Sequence, residues 1–410
     1  MWLGWGRGAG LVFALSCAAY GLLSVSAVHP PFHPVRALDY FDLKVYRGGA
    51  QSILHGAPLY ETKIMGFYFT YPPLAAVAFL PLAAVSLTID EIVVTAVNGA
   101  ALIALLWCAL RLPSSRSLPS QEHPAPRDAS AWPLVVFAAA ALLWLEPVTT
   151  ALAYGQIDLV LAALVVYDLS RADCARTKGA VIGFAAGVKL TPLIFVPYLM
   201  LTRRWRAASL ASAVFGSTVA LGCALLPSDS VRYWSGLFLD SSRVSLPNAG
   251  AAPANQSLRG AILRLAPASG IDPIWILAAA TVAAVGLSLA VLASRRGDEA
   301  TGFSICALTG LLVSPVSWTH HWVLVVPALL LLGHSAYQRR SRLSLAALAA
   351  IVLVGCTYPT WLVAQRQARG VHLTPAELFA ADPYVIIGLA ALGLGALDQY
   401  RLLRPRDTPA

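Results

Sequence analysis

Apolar stretches long enough to cross a bilayer recur from one end of this chain to the other, and that recurrence limits the fold more than any motif does. A straight helix needs about 20 predominantly apolar residues to cross a hydrocarbon core of roughly 30 Å. Runs of this kind begin near residue 9 and are still present near residue 400. Charged residues make up only 12% of the 410 positions against 58% hydrophobic, where soluble domains carry about 25% charged. Mean hydropathy is +0.68. Backbone groups in lipid have no water to bond, so spanning segments of this length are helices. The fold class expected is an all-α polytopic integral membrane protein, with residues 1–410 forming a single membrane-embedded domain.

Composition also removes other classes. The six cysteines (Cys17, Cys108, Cys174, Cys223, Cys306, Cys356) are scattered, with no CxxC and no histidine at ligand spacing, so neither a disulfide framework nor a zinc site is expected. The net charge of +9 is not interleaved with aromatics as in a nucleic-acid groove. It reads as orientation in the membrane, and the partner is the lipid bilayer rather than a nucleic acid.

Basic clusters stand beside the ends of apolar runs at Arg111/Arg116/Arg127, Arg171/Arg176/Lys178, Arg203/Arg204/Arg206, Arg295/Arg296, Arg339/Arg340/Arg342 and Arg401/Arg404/Arg406. The positive-inside rule assigns them to the cytoplasm. With Arg7 before the first run, which reads as a retained helix rather than a signal peptide, this predicts spans near 9–28, 88–111, 132–150, 156–170, 179–190, 192–202, 207–226, 273–294, 300–315, 321–337, 343–361 and 384–400. Twelve crossings of the plasma membrane put both termini in the cytoplasm. The pair around Lys189 is too short for straight spans, so Gly-Val-Lys-Leu-Thr-Pro is expected to turn in the membrane or at its outer face. The apolar run after Tyr71-Pro72-Pro73 is expected to be a re-entrant or interfacial helix on the outer side. Residues 113–131 read as a solvated cytoplasmic linker. Loops 29–70, 227–272 and 359–383 fall outside and carry the polar chemistry.

In the first of these loops a helix from Asp39 to Leu54 places Asp39 and Asp42 on one face, with Asp39 suited to N-capping. Both carboxylates read equally as a solvated helix start pairing with Lys44 and Arg47. Tyr154-Gly-Gln156-Ile-Asp158 lies between two spans, where Asp158 reads as a helix cap or as a functional acid; Glu146 precedes Tyr154 by eight positions. Lys189 is alone in its apolar stretch, and its ammonium either snorkels to the interface or binds an anionic headgroup. Asn255-Gln256-Ser257-Leu-Arg259 puts hydrogen-bonding groups and a cation in a row. His320 and His321 follow Ser314-Pro-Val-Ser-Trp318 at the outer face. Adjacent residues on a helix point about 100° apart, which makes joint chelation awkward and favours separate donors to a phosphate or a carboxylate.

Taken in order, Asp42-Leu-x-Val-Tyr46-Arg47, Gly56-x-x-Leu-Tyr60, Phe69-Thr-Tyr71-Pro72-Pro73-Leu, Gly155-Gln156, Gly187-x-Lys189-x-x-Pro192, Asn255-Gln256-Ser257 and Ser314-Pro-x-Ser-Trp-x-His320-His321-Trp resemble the actinobacterial polyprenol-phosphate-mannose-dependent α-(1→2)-mannosyltransferases. These belong to glycosyltransferase family 87 and have the GT-C membrane fold. The resemblance runs through nearly the whole chain. It implies transfer of mannose from polyprenyl-phosphate-mannose to a mannosylated glycolipid acceptor, a phosphatidylinositol mannoside, lipomannan or lipoarabinomannan, with inversion, outside the membrane. It makes Asp42 the catalytic base and assigns Lys189, His320 and His321 to the donor phosphate. Asn255 and Gln256 fall in a loop that closes over substrates. By residue chemistry Arg47 or Arg259 can serve as further cations for the departing phosphate, Tyr46 and Tyr71 can stack on sugar faces or anchor at the interface, and Gln156 lies with them around the site.

The residue types suit that chemistry. A glycosyl phosphate already carries a good leaving group, so one base suffices, and fixed cations can stabilise the departing phosphate without a metal. The acids of the first loop are spaced Asp-x-x-Asp rather than as a DxD pair, and neither metal nor cofactor is expected. Two other readings stay open: a lipid-linked sugar transferase of the same architecture with an arabinofuranosyl or glucosyl donor, and a secondary transporter, which twelve helices with a broken pair also allow.

Overall fold

The computed structural model describes residues 8, 11–19, 38–113, 131–240, 243, 251–265, 270–338, 340–360, 363–364 and 374–403. Most of the expected linker 113–131, much of the first span 9–28 and several of the orienting arginines (Arg7, Arg116, Arg127, Arg339, Arg404, Arg406) lie outside these residues.

Among the described residues three helices are long and apolar enough to cross a membrane: Leu87–Ala109, Trp205–Leu225 and Asp272–Arg295. They are apolar nearly all round and leave Ile92, Leu221 and Leu277 exposed, as helices facing lipid do. Shorter apolar helices complete the bundle at Thr191–Leu201, Glu299–Val313, Arg342–Thr357 and Pro383–Leu397. Small residues let the helices approach closely. A Cβ on Gly183 would lie 2.2 Å from the Ala211 carbonyl oxygen, so only glycine allows Ala180–Val188 to lie against Trp205–Leu225.

The expected span 132–150 is not one helix. Trp132–Leu142 and Glu146–Tyr154 meet at 79°. Pro147 has no N–H to give to a continuing helix and stands in the first turn of the second one, so the chain breaks before it and starts again. The expected span 321–337 likewise begins late: Thr319–Val325 is a 3₁₀ helix and the α-helix runs Val326–Gln338.

The first polar segment sits on the bundle as a cap. Its helix Phe41–Leu54 begins one residue later than Asp39 as N-cap requires: Tyr40 is the cap, in a left-handed conformation at φ 49°. Asp39 accepts from the Phe41 N–H instead, at 3.0 Å. A two-residue turn at Met65-Gly66, both at positive φ, closes a hairpin of Lys63–Ile64 with Phe67–Tyr68; two positive φ values are what a tight hairpin turn demands. The run after Tyr71 forms two short helices, Pro73–Ala78 and Leu80–Ala83. Val45, Tyr46, Leu59, Tyr60 and Phe69 are buried and pack with Leu161, Ala185 and Val188 of the bundle, which fixes the cap over the helix ends.

Candidate active site

Beneath this cap is a cavity of about 1260 Å³. Three segments bring chemistry into it. The first is the helix Phe41–Leu54, which presents Asp42, a half-buried side chain lining the cavity. The second is the end of Glu146–Tyr154. Gly155 takes φ 65°, the Gln156 N–H returns to the Ala151 carbonyl at 2.9 Å and that of Gly155 to Leu152 at 3.1 Å. This pair of bonds is the glycine stop that closes many helices. A Cβ on Gly155 would also stand 2.8 Å from Leu43 Cβ, so Gly155 both ends the helix and admits the Asp42 helix. The third is the break after Ala180–Val188, where Lys189 becomes extended (φ −146°, ψ 133°) before the 3₁₀ turn Thr191–Ile194.

Gln156 joins the groups. Tyr46 Oη donates to its Oε1 at 2.5 Å, and Tyr46 and Tyr71 hydroxyls lie 2.9 Å apart. With the amide oxygen taken by tyrosine, the amide nitrogen is the donor. It meets His320 Nε2 at 3.2 Å, and the Gln156 side chain also hydrogen-bonds Asp42. His320 therefore accepts at Nε2, which puts the proton of a neutral ring on Nδ1. Burial pushes the Asp42 carboxyl up from its usual 3.8 to about 7, against the Gln156 bond and the Lys189 charge that pull it down; Asp158 and Asp39 add to the rise. Burial likewise raises Tyr71 to about 12, so it stays a donor.

Across the cavity Lys189 Nζ meets Asp158 Oδ1 at 2.6 Å and stands 5.5 Å from the centre of the Tyr71 ring. Asp158 Oδ2 is buried with no hydrogen-bond partner among the described residues and lies 4.0 Å from His321 Nε2. The two histidine rings are edge to face at 4.7 Å. This corrects the expectation drawn from helical spacing. The pair lies on a 3₁₀ turn, and one ligating atom each from Asp158, His320 and His321 fall within 4.8 Å of one another, a group that could hold a metal ion. The Lys189 ammonium on the same carboxylate works against a divalent cation there by charge repulsion.

The remaining expected site residues divide. Arg259 lines the cavity, pairs with Asp272 at 3.2 Å and stands 5.6 Å from the centre of the Trp275 ring. Arg47 is outside the cavity lining; it pairs with Asp90 at 2.5 Å and reaches the Leu82 carbonyl. Asn255 and Gln256 are fully buried behind the wall. Asn255 Oδ1 accepts from the Ser317 N–H at 2.9 Å. Gln256 donates to the Pro253 and Ala381 carbonyls at 2.6 Å each and accepts from the Tyr384 N–H at 3.0 Å. Both brace the histidine loop, which is itself paired to theirs through Gln256 N–H to Ser317 O at 2.7 Å. Asp158, left open in the sequence between a helix cap and a functional acid, stands at the site as the partner of Lys189. The signal was there, an acid two positions after Gly155-Gln156 at the start of an apolar run.

Lys189, Leu193, Ile194, Pro197, Trp275 and Ile276 all line the cavity, so an ammonium and apolar side chains share its surface. A cavity that combines apolar side chains, an ammonium and a carboxylate suits a membrane enzyme acting on a lipid-linked anion. The sequence pattern of glycosyltransferase family 87 matches residues 69–315, and the chain belongs to that family. It is 34% identical over 380 residues to the polyprenol-phosphate-mannose-dependent α-(1-2)-phosphatidylinositol mannoside mannosyltransferase of Mycobacterium tuberculosis H37Rv, covering 89% of this chain and 86% of that one. It is also 34% identical to a phosphatidylinositol pentamannoside mannosyltransferase of M. tuberculosis CDC 1551, over 90% of this chain and 84% of that one. ArnT from Cupriavidus metallidurans, bound to undecaprenyl phosphate, aligns with 96% of this chain and 77% of its own at 16% identity and a TM-score of 0.43, a likeness too loose to assign a fold by itself.

Proposed function

We propose that this glycosyltransferase moves mannose from polyprenyl-phosphate-mannose to the 2-hydroxyl of a mannosylated lipid of the phosphatidylinositol mannoside class, on the outer face of the membrane and with both termini in the cytoplasm. The observation that carries the reading is the joint lining of one cavity by Asp42, Lys189 and His321, with Asp158 behind them holding Lys189 at 2.6 Å and lying 4.0 Å from His321. The named substrates of the relatives agree with it.

Asp42 takes the proton of the acceptor 2-hydroxyl as that oxygen attacks the anomeric carbon. The bond from that carbon to the phosphate oxygen breaks on the opposite side, and its electron pair leaves with the polyprenyl phosphate, giving an α product with inversion. Lys189 supplies positive charge where the phosphate charge develops, and His321 a further polar contact. Gln156, fixed by Tyr46 and Tyr71, holds Asp42 in line. No metal is required, because the lysine already occupies the place of the cation. The arginine-rich helix ends support the sidedness.

Purified enzyme incubated with radiolabelled polyprenyl-phosphate-mannose and a mannoside tests the reaction. Label in an alkali-stable mannoside, undiminished by EDTA, is the expected result. Failure to label any mannoside overturns the reaction, and EDTA inhibition reversed by a divalent ion overturns the metal-free route.

A further inference from the structure

The cavity has a second polar wall that the reaction just described does not use. Glu146, 4% exposed, opens the helix Glu146–Tyr154 and lines the cavity. Its Oε2 accepts from Tyr384 Oη at 3.0 Å and its Oε1 from Thr360. Thr150 follows one turn later on the same helix, and Tyr358 and Thr360 come from a segment about 200 positions away; all three line the same cavity. Tyr358 Oη shares a hydrogen bond with Thr149 Oγ1 at 2.6 Å. A carboxylate drawn out of water needs hydrogen-bond donors, and here hydroxyls supply them on a surface that faces open volume. A carboxylate that only accepts, beside threonine and tyrosine hydroxyls that donate and accept, is the set of groups that reads the hydroxyls of a sugar.

The position of this wall says which sugar. The C-terminal end of the helix abuts the charged pole: the Tyr40 N–H bonds the Ala153 carbonyl at 2.8 Å, the Tyr154 ring is 5.7 Å from that of His320, and Gln156 comes next. Eight residues at the rise of an α-helix place Glu146 about 12 Å back along the axis. The anomeric carbon of the donor has to lie between Lys189 and Asp42, so the donor sugar stays at the charged pole. A group more than one pyranose ring away meets a different unit of the bound substrates.

We infer that Glu146, with Thr150 and Thr360, forms a subsite for the acceptor's second mannosyl unit, so that the enzyme reads a disaccharide or longer rather than a single sugar. The inference rests on the reaction proposed above. It is also separable from it, because it concerns the ratio of two acceptors and leaves the bond-making step alone.

The experiment uses the full-length enzyme in lipid nanodiscs with polyprenyl-phosphate-mannose as donor, and compares an alkyl α-mannoside with an alkyl α-dimannoside. Wild type is expected to favour the dimannoside by about tenfold or more in kcat/KM, the loss that accompanies a missing hydrogen bond to a charged group. Glu146→Gln and Thr360→Val are each expected to shrink that ratio by about tenfold, through the acceptor KM, with the donor KM unmoved. Equal kcat/KM for the two acceptors in wild type overturns the inference with no variant needed. A ratio preserved in the folded variants, or an equal fall on both acceptors, overturns it too. If wild type mannosylates neither acceptor, the reaction itself has failed and the subsite falls with it. A dimannoside preference that survives in Asp42→Asn at undiminished rate removes the assigned base and leaves the subsite standing.

Discussion

Two buried ion networks stand at opposite ends of the helix Ala180–Val188, and they differ in one respect. At the end near Lys178 every carboxylate oxygen of Glu299 is filled: Arg204 donates at 2.7 and 2.6 Å, Tyr198 Oη at 3.0 Å and Ser294 Oγ at 2.6 Å. Asp168 accepts there from the Gly179 and Ile182 N–H groups. At the other end Lys189 holds one oxygen of Asp158, and the second oxygen, without a hydrogen bond among the described residues, lies 4.0 Å from His321, which lines the cavity. The ingredients are the same, a cation and a buried acid. The Glu299 network, filled and away from the cavity, is committed to holding helices together, whereas the Asp158 network is open, keeping an oxygen that gains from a new partner in low dielectric.

The sharpest test of this contrast is Asp42→Asn, which belongs to the open network through Gln156. Turnover is expected to fall by about 10²–10⁴-fold, the usual worth of a general base, with donor binding retained; Asp39→Asn is expected to cost far less. A similar loss from both in single-turnover assays would remove the distinction between the two acids. Next is Arg204→Met, which strands Glu299. It is expected to destabilise the fold by about 3–5 kcal/mol, read as a fall in melting temperature, while the folded fraction keeps its donor affinity. Lys189→Met is expected to do the reverse in part, weakening donor binding by about tenfold or more through loss of a charge-assisted contact and acceptor binding much less. Adding Asp158→Asn to it should restore thermal stability without restoring donor affinity. Isothermal titration with the polyprenyl-phosphate-mannose donor separates the two, and donor affinity lost equally in Arg204→Met would erase the contrast.

The smallest effect is in pH. Asp42 must be ionised to act, so kcat/KM is expected to climb about tenfold per pH unit below about 7 and to level off above it. For stability the sign is opposite. A carboxyl raised on folding contributes stability fully present below its usual 3.8 and lost as pH rises through about 7. The enzyme is thus most active where this one group stabilises it least. A profile flat between pH 5 and 8 would separate Asp42 from the rate-limiting chemistry.

Much of this was legible in the sequence. Asp42, Lys189 and the histidine pair stand out because a polar group at an interruption in apolar chain has few reasons to be there, and all four line the cavity. What did not carry over was pairing. Arg47 reads as a substrate cation and is held by Asp90, 43 positions away. Asn255 and Gln256 read as substrate contacts and instead brace the loop that carries His320. Asp158 reads as a cap or as a functional acid, and only its contact with Lys189 decides between them. Glu146 had no motif at all; its neighbours Thr360 and Tyr384 are more than 200 positions distant.

By itself the sequence determined that this chain lives in a bilayer and where its helices are interrupted, since hydrophobic transfer and the bonding needs of the backbone act over a single turn or a single span. Tertiary structure alone decided which interruptions face a common cavity and which are closed off as braces. Gln156 reaches Tyr46 across 110 positions and His320 across 164. A hydrogen bond is sensitive to fractions of an ångström, and no local pattern encodes such a distance between helices.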